Sequence, residues 1–352
     1  MDLNNFFLFF FLIIFSLFFN KYFPLIIFKY QPKILLDDEF KKPQAFHKVS
    51  VSTSGGISIF FSFLILCLYC LFSKQIIYFE YLSFCTLFFA LGLLDDLKFN
   101  TRPKFRLILM IVFLITLIIF NGFYIENTGI EFLDRLLEID IFALFFVCLC
   151  FLFIINGSNL IDGYNGLLSI HTLIILINLF FVNYFNENTD LALFIFFAII
   201  IVAVFLKYNF PRAKIFLGDS GSYFLGAFIA ISVIKTSIAN PSISPFYFCI
   251  LLFYLFFEVF FSFIRKIVNE KKSPLFPDSK HLHMLIYKIL LKKNNDKLKS
   301  NYYVSIILNL AYLILTLPAI FMMGDGTFCK YYSIVLFAAY LFTYKRIHEK
   351  IK

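Results

Sequence analysis

The sequence predicts an all-α, polytopic integral membrane protein of about eleven transmembrane helices, with its active site on the cytoplasmic face. Three observations predict it. The 352 residues are 61% hydrophobic, with a mean hydropathy of +0.87, well outside the range of soluble domains. Apolar runs recur at lengths suited to a hydrocarbon layer of roughly 30 Å. Between them, basic residues crowd into alternate connections.

The windows are Leu3–Phe19 with room to run on past Pro24, Ile57–Phe72, Ile77–Leu94, Phe105–Phe120, Ile141–Ile155, Leu167–Phe185, Leu191–Leu206, Tyr223–Ile238, Phe246–Ile264, Val304–Phe321 and Tyr332–Tyr344. All should be helical, because a span must satisfy its own backbone hydrogen bonds and no barrel-like alternation occurs. Their short connections predict a single integral domain over residues 1–352. Phe6–Phe19 is preceded by no Lys or Arg and followed by no A-x-A site, so it is expected to persist as a span rather than be cleaved. Six of the seven cysteines lie in apolar segments as small hydrophobes and make no disulfide framework; Cys67 and Cys70 have C-x-x-C spacing in the middle of a span.

Charge gives the orientation. One set of connections, near 29–55, 95–104, 156–166, 207–222 and 265–302, holds most of the Lys and Arg, including ten between Arg265 and Lys299, and the tail adds four more. The other set holds Lys74, Arg135, Lys235 and Lys330 among many acids. The first set is therefore expected in the cytoplasm, with the amino terminus outside and the carboxyl terminus inside. The net charge of +9 is mostly this topology signal and calls for no nucleic acid partner.

Four polar stretches then share the cytoplasmic face. Asp95-Asp96 ends an apolar run, where ionised groups must reach water. Asn156–Gly166 interrupts two runs with amides, Asp162 and glycines, a set that suits either a tight turn or close approach to a sugar or base. Asp219 lies between glycines at the start of a span, as a helix cap or as a hard oxygen ligand. Asp95, Asp96 and Asp219 together favour Mg²⁺, which takes one or two protein carboxylates plus phosphate oxygens. His281 and His283 sit in a basic loop, suited to phosphate and without a convincing third zinc ligand.

These residues carry a resemblance. Asp95-Asp96, Asn159-Leu-Ile-Asp162-Gly-Tyr-Asn165-Gly, Phe216-Leu-Gly-Asp219-Ser-Gly and Pro277-Asp-Ser-Lys-His281-Leu-His283 resemble, in order, the signatures of the polyprenyl-phosphate N-acetylhexosamine-1-phosphate transferases. Pro43–Lys48, leading to Gly55-Gly56, resembles that family's first cytoplasmic loop. Asn165 stands where many members have Asp, Met284 where many have His, and Thr53 where Arg is frequent.

The resemblance implies transfer of a sugar 1-phosphate from a UDP-N-acetylhexosamine to a polyprenyl phosphate such as undecaprenyl phosphate. The cofactor would be Mg²⁺, or Mn²⁺ in its place, and the location the inner (plasma) membrane, among whose lipids the acceptor lies. It further implies Asp95 and Asp96 as catalytic residues and Asp219 with Asp96 as metal ligands. Substrate contacts would come from Lys48, Asn159, Asp162, Asn165, His281 and His283. The nearer rival is the phospho-N-acetylmuramoyl-pentapeptide branch. The more distant one is a transporter, whose charges should lie at mid-membrane rather than at span ends.

Overall fold

The computed structural model describes residues 3–30, 34–37, 50–99, 101–125, 127–273 and 278–351. Each of the eleven apolar windows lies on helix. They are α1 (Leu3–Tyr30), α2 (Gly55–Tyr69), α3 (Phe79–Asp96), α4 (Pro103–Asn121), α6 (Asp140–Ile161), α7 (Leu167–Phe185), α8 (Thr189–Asn209), α9 (Gly218–Ala239), the pair α10 (Pro245–Leu251) and α11 (Phe253–Ile264), α13 (Lys297–Phe321) and α14 (Gly326–Ile351). Two shorter α-helices, α5 (Glu131–Leu137) and α12 (Leu282–Asn294), and two π-helical turns, Cys70–Lys74 and Arg265–Asn269, complete the described helices. The protein is an all-helical, multi-pass membrane protein.

Eight of the described helices are individually long and apolar enough to cross a membrane, and α10 with α11, bent by 74° at their junction, makes a ninth candidate. The expected count of eleven is therefore reached only by including α3 and α14. The first carries Glu80, Asp95 and Asp96, and the second is diluted by tyrosines and a charged end. α1 does run on past Pro24, to Tyr30, and the 265–302 connection is not open loop but contains α12, whose last turn is basic.

At the centre lies α9. Residues 220 to 233 are buried without a break, as expected for a helix apolar on every side. It packs on α2, α3, α6 and α7. Small residues make the approach possible: a Cβ on Gly56 would lie 2.3 Å from the Gly221 nitrogen, and one on Gly92 would lie 2.3 Å from the Asp219 carbonyl oxygen. Gly92 is one turn before Asp96. Backbone contact at Gly92 thus delivers the end of α3 to the start of α9.

The segment before α9 is fixed by backbone pairing. A two-residue hairpin, β1 (Leu36–Asp37) with β2 (Val51–Ser52), extends to a bridge between Ser52 and Ile215. The Phe216 amide donates to the Ser52 carbonyl at 2.8 Å, while Gly55 and Gly56 donate to the carbonyls of Phe216 and Leu217 at 3.0 and 2.8 Å. Gly218 then adopts φ +78°, a conformation open to glycine at little cost.

Candidate functional site

The two adjacent aspartates at the end of α3 point to different partners, because successive helical residues diverge by about 100°. Asp96 faces α9. Its Oδ1 accepts from the Asp219 amide and its Oδ2 from the Ser220 amide, each at 2.9 Å. These are N–H groups that the first turn of a helix leaves unsatisfied, at its positive end. The cap of α9 is therefore Asp96, supplied from another helix, and not Asp219. Asp95 faces α4, where the Thr101 hydroxyl donates to Oδ1 and the Arg106 guanidinium to Oδ2. Arg106 also lies over the Tyr223 ring, 5.8 Å from its centroid.

With the cap provided by Asp96, the Asp219 side chain is directed elsewhere. Its Oδ1 accepts from the Asn159 side-chain amide at 2.7 Å, and the same amide donates to the Ser222 hydroxyl at 2.9 Å. Asn159 lies in the last turn of α6 and Asp162 caps its end, so the Asn156–Gly166 stretch is half helix and half connection. Burial, followed by the nearby charges of Asp219 and Asp96, pushes the Asp162 carboxyl well above the usual carboxylate range. A divalent cation is the natural remedy for such a gathering of negative charge. Hard oxygens on Asp219 and Asp162 suit one that keeps water or phosphate in its other positions. Among the described residues no three or more His, Cys, Asp or Glu side chains close into a metal cage. Both oxygens of Asp96, expected as a ligand, are already engaged by the start of α9.

Asn165 is placed as a tie. Its side chain donates to the Pro211 carbonyl at 2.9 Å, its amide to Asn301 Oδ1 at 2.9 Å, and its carbonyl accepts from the Ser305 hydroxyl at 2.7 Å. It is 7% exposed and joins three segments. The expected substrate contact at Asn165 is thus, in place, a joint between the α6–α7 connection, the α8–α9 connection and α13. Lys48 lies outside the described residues.

The histidine loop meets this region through Tyr164, whose ring lies 5.7 Å from that of His283. The His281 and His283 rings stack nearly parallel, 5.4 Å apart. Burial pushes His283 down to about 4. Asp278 goes the other way from a simple buried acid. Burial raises it, but the Lys280 amide, His281 and Arg265 together hold it at about 2. Arg265 donates to Glu270 at 2.6 Å and to Asp278 at 2.8 Å, and Lys280 Nζ reaches Glu270 at 2.9 Å.

Sequence reasoning passed over Glu258. It sits in α11, 1% exposed, and accepts from the Leu282 amide and the Tyr340 hydroxyl while facing His281. The available signal was a lone carboxylate inside the ninth apolar window, a costly placement unless it is used. Arg106 was visible only as part of a basic connection.

The family model described as glycosyl transferase family 4 matches residues 78–237, which run from the start of α3 to the end of α9. An undecaprenyl-phosphate alpha-N-acetylglucosaminyl 1-phosphate transferase of Thermotoga maritima is 32% identical over 237 residues, covering 67% of this chain and 68% of that protein. A phospho-N-acetylmuramoyl-pentapeptide-transferase of Dictyoglomus turgidum is 37% identical over 201 residues, 54% of this chain and 61% of its own length. An undecaprenyl-phosphate alpha-N-acetylglucosaminyl 1-phosphate transferase of Escherichia coli is 25% identical over 211 residues, 58% and 57% of the two chains.

Proposed function

The chain belongs to glycosyl transferase family 4, and from that premise we propose that it moves an N-acetylhexosamine 1-phosphate from a UDP-sugar to a polyprenyl phosphate, releasing UMP. One observation carries the reading. Residues from three distant stretches, Asp96, Asn159 and Asp219, meet within hydrogen-bond distance at the start of α9. A fourth, the histidine loop, is packed against the same connection through Tyr164. A transporter would need no such convergence at span ends.

The task for these residues is to bring two anionic phosphates together. Asp219 and Asp162 would hold Mg²⁺, which supplies charge neutralisation and Lewis acidity at the diphosphate when bound. Asn159 orients Asp219 through its amide. Asp96 fixes the backbone that presents Asp219, and so acts on geometry rather than on substrate. Asp95 is committed to Arg106 and Thr101. Since a phosphate monoester has a second pKa of about 6, the acceptor is largely dianionic at neutral pH and needs little help from a base. The pair Asp95–Arg106 instead keeps a guanidinium beside the site. His281 and the basic residues around it would meet the diphosphate or the sugar. The crowding of Lys and Arg in its connections supports a cytoplasmic position for the bearing face, and the family reading, with its lipid acceptor, supports the plasma membrane.

A second reading has its own support, since the muramoyl-pentapeptide relative is 37% identical over its shorter match. Both readings are tested at once. Full-length protein in detergent is given undecaprenyl phosphate, Mg²⁺ and either UDP-N-acetylglucosamine or UDP-N-acetylmuramoyl-pentapeptide, and UMP is measured. Release with the first donor, dependent on both substrates and lost in Asp219→Ala, supports the main reading. Release with the second alone shifts it to the peptidoglycan branch, and none across a panel of UDP-sugars rejects both.

A further inference from the structure

α13 is long and apolar enough to cross a membrane, yet it carries a buried polar stripe. Asn301, Ser305 and Asn309 recur about one helical turn apart and are 2%, 0% and 3% exposed. Polar side chains buried in this way are costly unless bonded. All three direct their bonds to one short stretch far back in the chain. The Asn165 amide donates to Asn301 Oδ1 at 2.9 Å, the Ser305 hydroxyl donates to the Asn165 carbonyl at 2.7 Å, and Asn309 Nδ2 donates to the Leu167 carbonyl at 3.1 Å. The oxygen of the same Asn309 amide faces His171 Nδ1 at 3.2 Å, one turn further along α7. Successive turns of α13 thus grip the end of the α6–α7 connection and the start of α7.

The gripped stretch lies between the two carboxylates assigned to the cation. Asp162 begins the connection, one turn before Asn165. On the other side, the Gly166 amide donates to Asn209 Oδ1 at 2.7 Å, Asn209 Nδ2 donates to the Ile215 carbonyl at 2.9 Å, and the Asn165 side chain donates to the Pro211 carbonyl at 2.9 Å. Ile215 bridges to Ser52 and leads through Gly218 to Asp219. A continuous set of hydrogen bonds therefore runs from α13, through Asn165 and Gly166, to the segment that presents Asp219.

We propose that Asn301, Ser305 and Asn309 are positioning residues, a rail that sets the spacing between Asp162 and Asp219 and with it the fit of the divalent cation. The assignment rests on the transferase reading above. Mg²⁺ demands near-octahedral geometry at about 2.1 Å, so two carboxylates on separate connections can share it only where those connections are fixed against each other. The rail acts through the backbone of residues 165–167 and not on substrate.

Ser305→Ala removes one bond of the rail and Asn301→Leu another. Tyr312→Phe is the control: it removes a bond from the same helix, but one that runs from the Tyr312 hydroxyl to the Leu251 carbonyl at the end of α10. The full-length proteins in detergent are titrated with Mn²⁺ alone, read by electron paramagnetic resonance, with Asp219→Ala marking the site. UMP release is measured alongside. The rail variants should bind Mn²⁺ about tenfold more weakly and lower kcat about tenfold, with KM for the polyprenyl phosphate within about twofold of native. Tyr312→Phe should keep both Mn²⁺ affinity and kcat, whatever its melting temperature.

Native Mn²⁺ affinity in Ser305→Ala, the smallest of the changes, overturns the proposal, as does weakened Mn²⁺ binding with native turnover. Equal losses in Tyr312→Phe overturn it by making the stability of α13 the cause. A native protein that binds no Mn²⁺, or whose binding survives Asp219→Ala, overturns it too, because the cation then sits elsewhere. Absence of UMP release from the native protein with every donor would reject the reaction, leaving the Mn²⁺ titration to decide the rail on its own.

Discussion

The start of α9 and the start of α12 are both helix ends capped by a carboxylate from another helix, yet they answer their remaining charges in opposite ways. Around α9, Asp96 is met by backbone N–H groups and Asp219 by the Asn159 amide, and Asp162 is pushed toward its neutral form by burial and then by the charges of both. Around α12, Glu270 and Asp278 are met by Arg265, Lys266 and Lys280, and Glu258 by His281. Dipoles hold a carboxylate in place without cancelling its charge. Ion pairs cancel it. The first arrangement leaves negative charge for a cation to meet; the second holds its basic groups firmly in place beside it.

The sharpest way to break the first arrangement is at Gly218. An alanine there would force a side chain into φ +78°, with its Cβ 2.6 Å from Asp96 Oδ2 and 2.8 Å from the Thr53 carbonyl. Asp96 must move and the cap is lost. We expect Gly218→Ala to lower UMP release by about a hundredfold, the scale of misplacing reacting groups by an ångström. Gly122→Ala is the control. It has a similar φ, +63°, but nothing within 4 Å, so only the left-handed strain of about 1–2 kcal/mol applies, with turnover kept. Equal loss in both variants would mean that strain, and not the cap, is what matters.

The second arrangement should lose stability in acid, and the sign follows from two of the shifted groups there, His283 and Asp278. Folding holds His283 at about 4, below its ordinary 6.5, so the unfolded chain takes up that proton first as pH falls. Stability is then lost between pH 6.5 and 4, by about 1.4 kcal/mol for each unit. Asp278, held at about 2 against an ordinary 3.8, adds stability above 3.8 that disappears as pH falls toward 2. His283 should therefore pull the melting temperature down below pH 6.5, against the gain as Asp162, raised by burial, takes up its proton. His283→Asn should flatten the curve from 6.5 to 4 and leave the lower window. An unchanged slope in that variant would place the acid sensitivity elsewhere.

These differences also show what a sequence can carry. Apolar runs long enough to span announce themselves residue by residue, and all eleven windows became helix. Asp96, Asn159 and Asp219 were legible as residues because carboxylates and amides at the ends of apolar runs must have a reason. Their division of labour was not. That Asp96 caps α9 depends on Gly92 meeting the Asp219 backbone across two helices, which no spacing along the chain reveals. That Asn165 ties two connections to α13 depends on Asn301 and Ser305, more than a hundred residues away. Glu258 was legible in principle, as a charge in an apolar window, but its partners arrive from α12 and α14. α3 shows the reverse: Asp95 and Asp96 make it less like a span by composition because they lie at the site.

The weakest test has the clearest bearing on whether the site is confined to one end of α9. Lys235 pairs with Glu80 near the opposite end of the helix, about 24 Å from Asp219 at 1.5 Å per residue. The lysine side chain is 35% exposed, so the pair is screened and contributes less than about 1 kcal/mol. Lys235→Met should shift the melting temperature by no more than about 2 °C, and UMP release should stay within twofold of native. A large fall in turnover with a native melt would couple the far end of α9 to Asp219 through the helix itself, and the contrast drawn above between a dipole-held end and an ion-paired one would no longer be local.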